Sequence, residues 1–276
     1  MKRFFPVIMI VLTLLSVSGA VAYSIHQTLA TRGEAPVISF EADELKVSTD
    51  APDEELMKGV TATDLEDGDV TDSLMVERVS NLSDGAVTVT YVAFDSQSHV
   101  SRASRKVFYT DYTSPRFTMS RPMVFSAATV IDMMEGIGAK DCIDGDITAY
   151  VRASYADPKV PLTSTGTHEI ELTVTNSVGD VSHLKIPVRV LSESPRSDQI
   201  PLKNYLVYLE KNSKFDPLDY LPEELQETAT RTEKNRLTMT IDSNVDMLKS
   251  GVYVVDYTNM RDEQFVAMSR LIVVVE

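Results

Sequence analysis

The sequence predicts an all-β chain on three observations: apolar residues that alternate with polar ones, turn residues at regular intervals, and a motif order that recurs along the chain. After Gly85, residues Val87, Val89, Tyr91 and Ala93 alternate with Thr88, Thr90 and Val92. The same register carries His168, Ile170, Leu172 and Val174 after Gly166, and Tyr253, Val255, Tyr257 and Asn259 after Gly251. A period of two marks a half-buried strand, because successive side chains leave a strand on opposite faces. The runs Val100 to Val107, Val181 to Val190 and Phe265 to Val275 repeat the habit. Helical patterning is confined to a short stretch at Pro222–Thr228.

The motif order divides the chain. Residues 36–111 open with Pro36-Val37-Ile38 and continue through Gly59-Val60-Thr61-Ala62 to Asp64-Leu65-Glu66-Asp67-Gly68-Asp69-Val70-Thr71, then the Gly85 strand. Residues 115–191 repeat it, with Gly138-Ala139 before Asp141-Cys142-Ile143-Asp144-Gly145-Asp146-Ile147-Thr148 and Gly166 opening the matching strand. Residues 199–276 keep the outer strands and Gly251 but lack the Asp-Gly-Asp block. Units of roughly 75–80 residues built from short strands and turns predict β-sandwiches. The expected division is a signal or anchor segment with a short spacer over 1–33, domains over 34–112 and 113–193, and a diverged domain over 194–276. The connections Thr110–Pro115 and Ser192–Asp198 are short and proline-bearing, which limits bending.

These residues resemble the bacterial immunoglobulin-like domains named after a pesticidal crystal protein. The first repeat is similar nearly throughout, at Asp64, Asp67, Gly68, Asp69, Val70, Thr71, Gly85, Tyr91, Ala93 and Asp95. It departs at Ser98-His99, where the family has Gly-Asn. The second repeat keeps the Asp-Gly-Asp block with Asn176 and Gly179, and the third is similar only in its last strands. The resemblance implies three tandem immunoglobulin-like β-sandwich domains in a secreted or surface-attached bacterial protein, as spacer or adhesion modules. It supplies no ligand, because a fold alone never does.

The N-terminus points the same way. Lys2 and Arg3 precede an apolar run from Phe4 to about Val17 and a small-residue end at Ser18-Gly19-Ala20-Val21-Ala22, the layout of a secretory signal cleaved after Ala22. The alternative is an uncleaved anchor, since apolar residues continue through Ile25 and approach the roughly 20 residues a span needs. Either way residues 34–276 are expected outside the cytoplasmic membrane.

The 276 residues carry a net charge of −15, which offers no basic surface for nucleic acid. The single cysteine, Cys142, rules out an intramolecular disulfide and is expected as a small apolar filler. The four histidines, His26, His99, His168 and His183, have no zinc-ligand spacing, and no nucleophile elbow or phosphate loop is present, so no enzyme is expected. Tyr91, Tyr253 and Tyr257 sit on the apolar register and are expected in the core.

One constellation carries a candidate site. Asp64, Asp67 and Asp69 cluster within six residues, as do Asp141, Asp144 and Asp146. Ca²⁺ takes six to eight oxygens, so these carboxylates are candidate calcium ligands, with Asp95 or Asp111 as further donors. The same residue types also build ordinary turns, because Asp accepts Asx-turn bonds and Gly takes positive φ. The function expected is therefore a non-catalytic adhesion or spacer module at the cell surface or secreted. The alternative is a calcium-dependent extracytoplasmic binding module for a glycan or a surface protein.

Overall fold

The structure is a computed structural model that describes residues 13, 15–25, 33–83, 85–127, 132–155, 164–192, 200–230, 237–261 and 264–276. Most of the N-terminal segment expected as signal or anchor thus lies outside the described residues, as do residues 193–198 of the second connection. Residues 13 and 15–25 are helical and exposed. No helix among the described residues is long and apolar enough to cross a membrane.

The all-β architecture is the one expected, and the chain forms two compact units, Met1–Tyr112 and Thr113–Glu276. In the first, β1 (Val37–Phe40), β3 (Val60–Asp64) and β4 (Gly68–Asp69) make one antiparallel sheet. The other sheet orders β2 (Glu44–Val47), β7 (Val100–Tyr109), β6 (Ala86–Phe94) and β5 (Met75–Ser83), with β2 parallel to β7. Val60 and Ala62 from the first sheet and Val87, Val89, Tyr91 and Ala93 from the second are all buried, so the core lies between the layers.

This core contains a cation. Arg105 is 5% exposed, with its guanidinium 5.7 Å from the Phe40 ring centre and 5.3 Å from that of Tyr91. It donates to the carbonyls of Leu56 (2.6 Å) and Lys58 (2.9 Å), at the C-terminal end of a one-turn helix Asp53–Leu56, and to the Tyr91 hydroxyl at 2.9 Å. The Tyr91 hydroxyl in turn donates to Leu56. Burial pushes the Tyr91 phenol up, and the Arg105 bond opposes that shift in part. Carbonyl dipoles and ring faces make burial of the charge tolerable.

The β6–β7 hairpin turns through Asp95–His99, and Ser98 there has φ +69°. The equivalent residue in the second repeat, Gly179, has φ +79° without a Cβ to clash. The departure noted at Ser98 therefore has a conformational cost.

In the second unit, β8 (Arg116–Met119), β10 (Ile137–Asp141) and β11 (Gly145–Asp146) form one sheet. The facing sheet orders β9 (Val124–Ser126), β14 (Val181–Leu191), β13 (Gly166–Thr175) and β12 (Arg152–Tyr155), with β9 parallel to β14. The C-terminal repeat adds, among the described residues, one four-stranded sheet: β15 (Leu206–Leu209), β18 (Gln264–Val275), β17 (Gly251–Arg261) and β16 (Leu237–Ser243).

That last sheet serves two cores. Leu271, Val273 and Val275 of β18 and Val255 and Tyr257 of β17 pack with Ile200, Leu202 and Leu221, beside the helix Glu223–Thr230. Ile272, on the opposite face of β18, joins Leu206 in the core that holds Phe117, Ile170, Ile186 and Val188. Residues 113–276 form one compact unit in which β18 sends alternate side chains to two cores. Arg270, 4% exposed, sits on the same face as Ile272; it pairs at 2.6 and 2.7 Å with Asp256, its register partner on β17, and donates to the Pro187 carbonyl of β14 at 3.1 Å.

Two stability changes follow. Arg270→Ala removes one partner of a buried pair and should cost about 2–4 kcal/mol, read as faster amide exchange across β17 and β18. Ser98→Gly relieves the left-handed conformation and should raise the stability of the first unit by about 0.5–1 kcal/mol in denaturant titration.

Candidate functional site

The two Asp-rich turns are built from the same bonds. In the first repeat, Asp64 Oδ1 accepts from the backbone N–H groups of Glu66 at 2.8 Å and Asp67 at 2.9 Å, an Asx turn. Asp69 Oδ1 accepts from Thr71 N–H at 3.0 Å, and Thr71 Oγ1 accepts from Ala62 N–H at 3.1 Å. Asp67 reaches across to the β6–β7 turn, where it accepts from Ser96 N–H at 2.7 Å and Ser96 Oγ at 2.9 Å.

The second repeat reproduces each contact. Asp141 Oδ1 accepts from Ile143 and Asp144 N–H, both at 2.9 Å, and Asp146 Oδ1 accepts from Thr148 N–H at 2.9 Å. Thr148 Oγ1 accepts from Ala139 N–H at 3.1 Å. Asp144 accepts from Ser177 N–H and Ser177 Oγ, both at 2.6 Å. Asp141 goes deeper than its counterpart: it is buried, and its Oδ2 accepts from Asn176 Nδ2 at 3.1 Å. The Thr71 hydroxyl and then its N–H hold the Asp69 carboxyl below its usual range, and Thr148 does the same for Asp146.

The six candidate calcium ligands, Asp64, Asp67, Asp69, Asp141, Asp144 and Asp146, each accept from donors of the surrounding chain. Among the described residues, no three His, Cys, Asp or Glu side chains come together in a metal-holding group. The further donors are engaged elsewhere. Asp111 accepts from Ser48 Oγ at 2.5 Å and Thr49 N–H at 2.8 Å, which lower its pKa in that order. Asp95 accepts from the His99 ring at 2.5 Å and from the N–H groups of His99 and Gln97. Burial pushes the Asp95 carboxyl up, but the His99 and Gln97 bonds outweigh it and hold the group below its ordinary value.

The other singled-out residues have structural duties. Tyr257 is fully buried and donates to Pro217 O at 2.7 Å; burial raises its phenol far above the ordinary value, with the nearby Tyr220 adding to the shift. Tyr253 is half-buried and donates to Lys249 O. His168 lies 2.6 Å from Ser164 O, and His183 is 3.6 Å from Glu171 on the sheet surface. Cys142, expected as an apolar filler, is exposed, and its thiol donates to Thr113 O at 3.2 Å. A thiol at a turn tip faces solvent whatever its hydrophobicity, because the chain there has left the sandwich.

Two clefts open in the second unit. One, of about 370 Å³, is lined by Arg116, Phe117, His183, Tyr208 and Glu276. It is braced by the Arg116–Glu276 ion pair at 2.6 Å and the bond from Phe117 N–H to the Tyr208 hydroxyl at 3.0 Å. The other, of about 510 Å³, lies beside the second Asp-rich turn and is lined by Asp144, Asp146, Ile147, Tyr150, Thr175 and Ser177. Tyr150 is 63% exposed. Sequence reasoning passed over Tyr150, although aligning Thr148–Tyr150 with Thr71–Ser73 reveals an aromatic where the first repeat has a serine.

No protein-family model matches the chain, and no curated protein does. Solved structures give distant matches. The CBM51-2 and INT domains of ZmpB from Clostridium perfringens, in complex with GlcNAc, match at 21% identity and TM-score 0.23, over 54% of this chain and 26% of that one. Protocadherin gammaB7 EC3-6 matches at 11% identity and TM-score 0.22, over 86% and 73%. A lipoprotein of Bacteroides thetaiotaomicron matches at 11% identity and TM-score 0.21, over 86% and 98%. The chain spans about a quarter of the first of these, and at such scores none of them speaks to activity.

The bond pattern makes the turns themselves testable. Asp141→Ala strands two backbone N–H groups and the Asn176 amide and should cost about 2–3 kcal/mol, against about 1 kcal/mol for the partly exposed Asp64→Ala. Thermal scans in excess CaCl₂ and in EDTA should superimpose, since an ion bound by the native state would raise the midpoint by mass action.

Proposed function

We propose that this chain is a non-catalytic, extracytoplasmic module of the bacterial cell surface, with Ig-like layers that serve adhesion and spacing. The observation that carries the reading is that the side chains most able to do chemistry are bonded into the scaffold. The six aspartates of the two turns hold backbone and serine donors, Arg105 and Tyr91 close a buried network, and Arg270 ties two sheets together. Groups that hold turns and sheets in place support mechanical rigidity.

Two further features support the surface location. Lys2 and Arg3 ahead of an apolar run suit export or anchoring, and the net charge of −15 suits solubility outside the cell. The resemblance of repeats one and two to pesticidal-crystal-type Ig-like domains belongs to the same proposal. The partner would be a glycan or a protein of another surface.

The molecule carries its own topology probe, because Cys142 is its single cysteine and is exposed. In intact bacteria expressing the full chain, a membrane-impermeant maleimide should label Cys142, and the labelled product should fractionate with membranes if the N-terminal segment is retained. Labelling that appears only after lysis would overturn the extracytoplasmic placement.

A further inference from the structure

We propose that the open cleft walled by Tyr150, beside the second Asp-rich turn, is a binding site for a neutral saccharide, a reading that rests on the surface-module function above. The case begins with a comparison inside the molecule. Thr71–Ser73 and Thr148–Tyr150 are the same 3₁₀ turn, each leading into an extended residue, Leu74 or Val151. In the first repeat the third position is structural: Ser73 Oγ donates to Val70 O at 2.8 Å and accepts from Phe94 N–H at 2.9 Å. In the second repeat Tyr150 stands at that position, 63% exposed. The turn forms with serine, so its geometry does not demand an aromatic ring. Leaving a ring in water gains the fold little, because the favourable term comes from apolar area removed from water.

The surroundings of that ring define a chemistry. Ile147, 2% exposed, contributes apolar lining, and Asp144, Asp146, Thr175 and Ser177 supply polar atoms in the same cleft of about 510 Å³. A carboxylate offers about four lone-pair sites. The bonds from Ser177 use two on Asp144, and the Thr148 hydroxyl and N–H use two on Asp146, which leaves acceptor capacity on both. A flat apolar ring next to acceptor-only groups complements a pyranose, whose one face is C–H and whose rim is O–H donors. Anionic sugars are disfavoured by the two carboxylates. A cation is also drawn to such a site, but an ion pair this open to water contributes only about 0–1 kcal/mol. The sugar adds ring contact to several hydroxyl bonds at once.

The first repeat cannot offer the same site. Its equivalent turn has Asp67 and Asp69 but no ring, because Ser73 is consumed by Phe94. The proposal therefore places the site in the second repeat and not in the first, set by one residue.

The test is a saturation-transfer NMR titration of the full chain with a panel of neutral hexose and N-acetylhexosamine oligosaccharides, with spermidine as a cationic probe. A panel member should bind, and Tyr150→Ser, which restores the first repeat's residue, should weaken it at least tenfold without lowering the unfolding midpoint. Tyr155→Ser, at an exposed tyrosine outside the cleft, should leave binding unchanged. Absence of binding across the panel, binding indifferent to Tyr150→Ser, or capture of spermidine with no sugar bound each overturns the proposal. If the sugars fail while Cys142 is labelled on intact cells, the saccharide site falls and the surface-module reading stands. If Cys142 stays unlabelled, the surface reading falls first.

Discussion

Strand β18 has almost no solvent face, and the second unit depends on that. A strand sends alternate side chains to opposite sides, so a run such as Leu271-Ile272-Val273-Val274-Val275 must find apolar partners on both. On one side the partners are Ile200, Leu221 and Tyr257; on the other they are Leu206 and the core of the preceding repeat. Arg270 falls on that second side. Its burial is tolerable because Asp256 lies directly opposite on β17 and the Pro187 carbonyl accepts from the remaining nitrogen. Such a pair adds little net stability over an apolar isostere, but a bidentate fork plus one carbonyl contact is met in a single sheet register.

The acidic residues obey a similar logic. The charge of −15 includes two Asp-Gly-Asp blocks. In the folded chain their carboxylates accept from the chain itself. Each block bends the chain sharply, and the bend leaves backbone N–H groups without strand partners, a deficit the carboxylates make good at distances between 2.6 and 3.0 Å. Asp67 and Asp144 go further and pin a second hairpin to the first turn through a serine. The acidity is thus partly a property of the scaffold.

Repetition makes departures from it informative. When two turns share nearly every bond, the bonds are what the turn requires, and a residue that differs is free of that requirement. Tyr150 in place of Ser73 is one such difference, and Asp141 with its added Asn176 contact is another. The second strengthens the fold. The first exposes an aromatic ring beside a cleft.

Local pattern was sufficient for the strands. Val87 to Ala93, Ile170 to Val174 and Val255 to Tyr257 were legible because period-two alternation depends on which face of the sheet is buried, and the positions it marks are buried, although Val92 on the other register is buried too. The Asp-rich turns were legible as turns for the same reason, since Asp and Gly act on their immediate neighbours. Three things were decided only by tertiary structure. Parallel partners such as β2 with β7 and β15 with β18 meet across long stretches of sequence. Whether a carboxylate faces an ion or an N–H depends on where another hairpin places its donors. The sharing of β18 between two cores depends on what lies against its second face, and a strand's own residues record that a face is apolar but not which core will cover it.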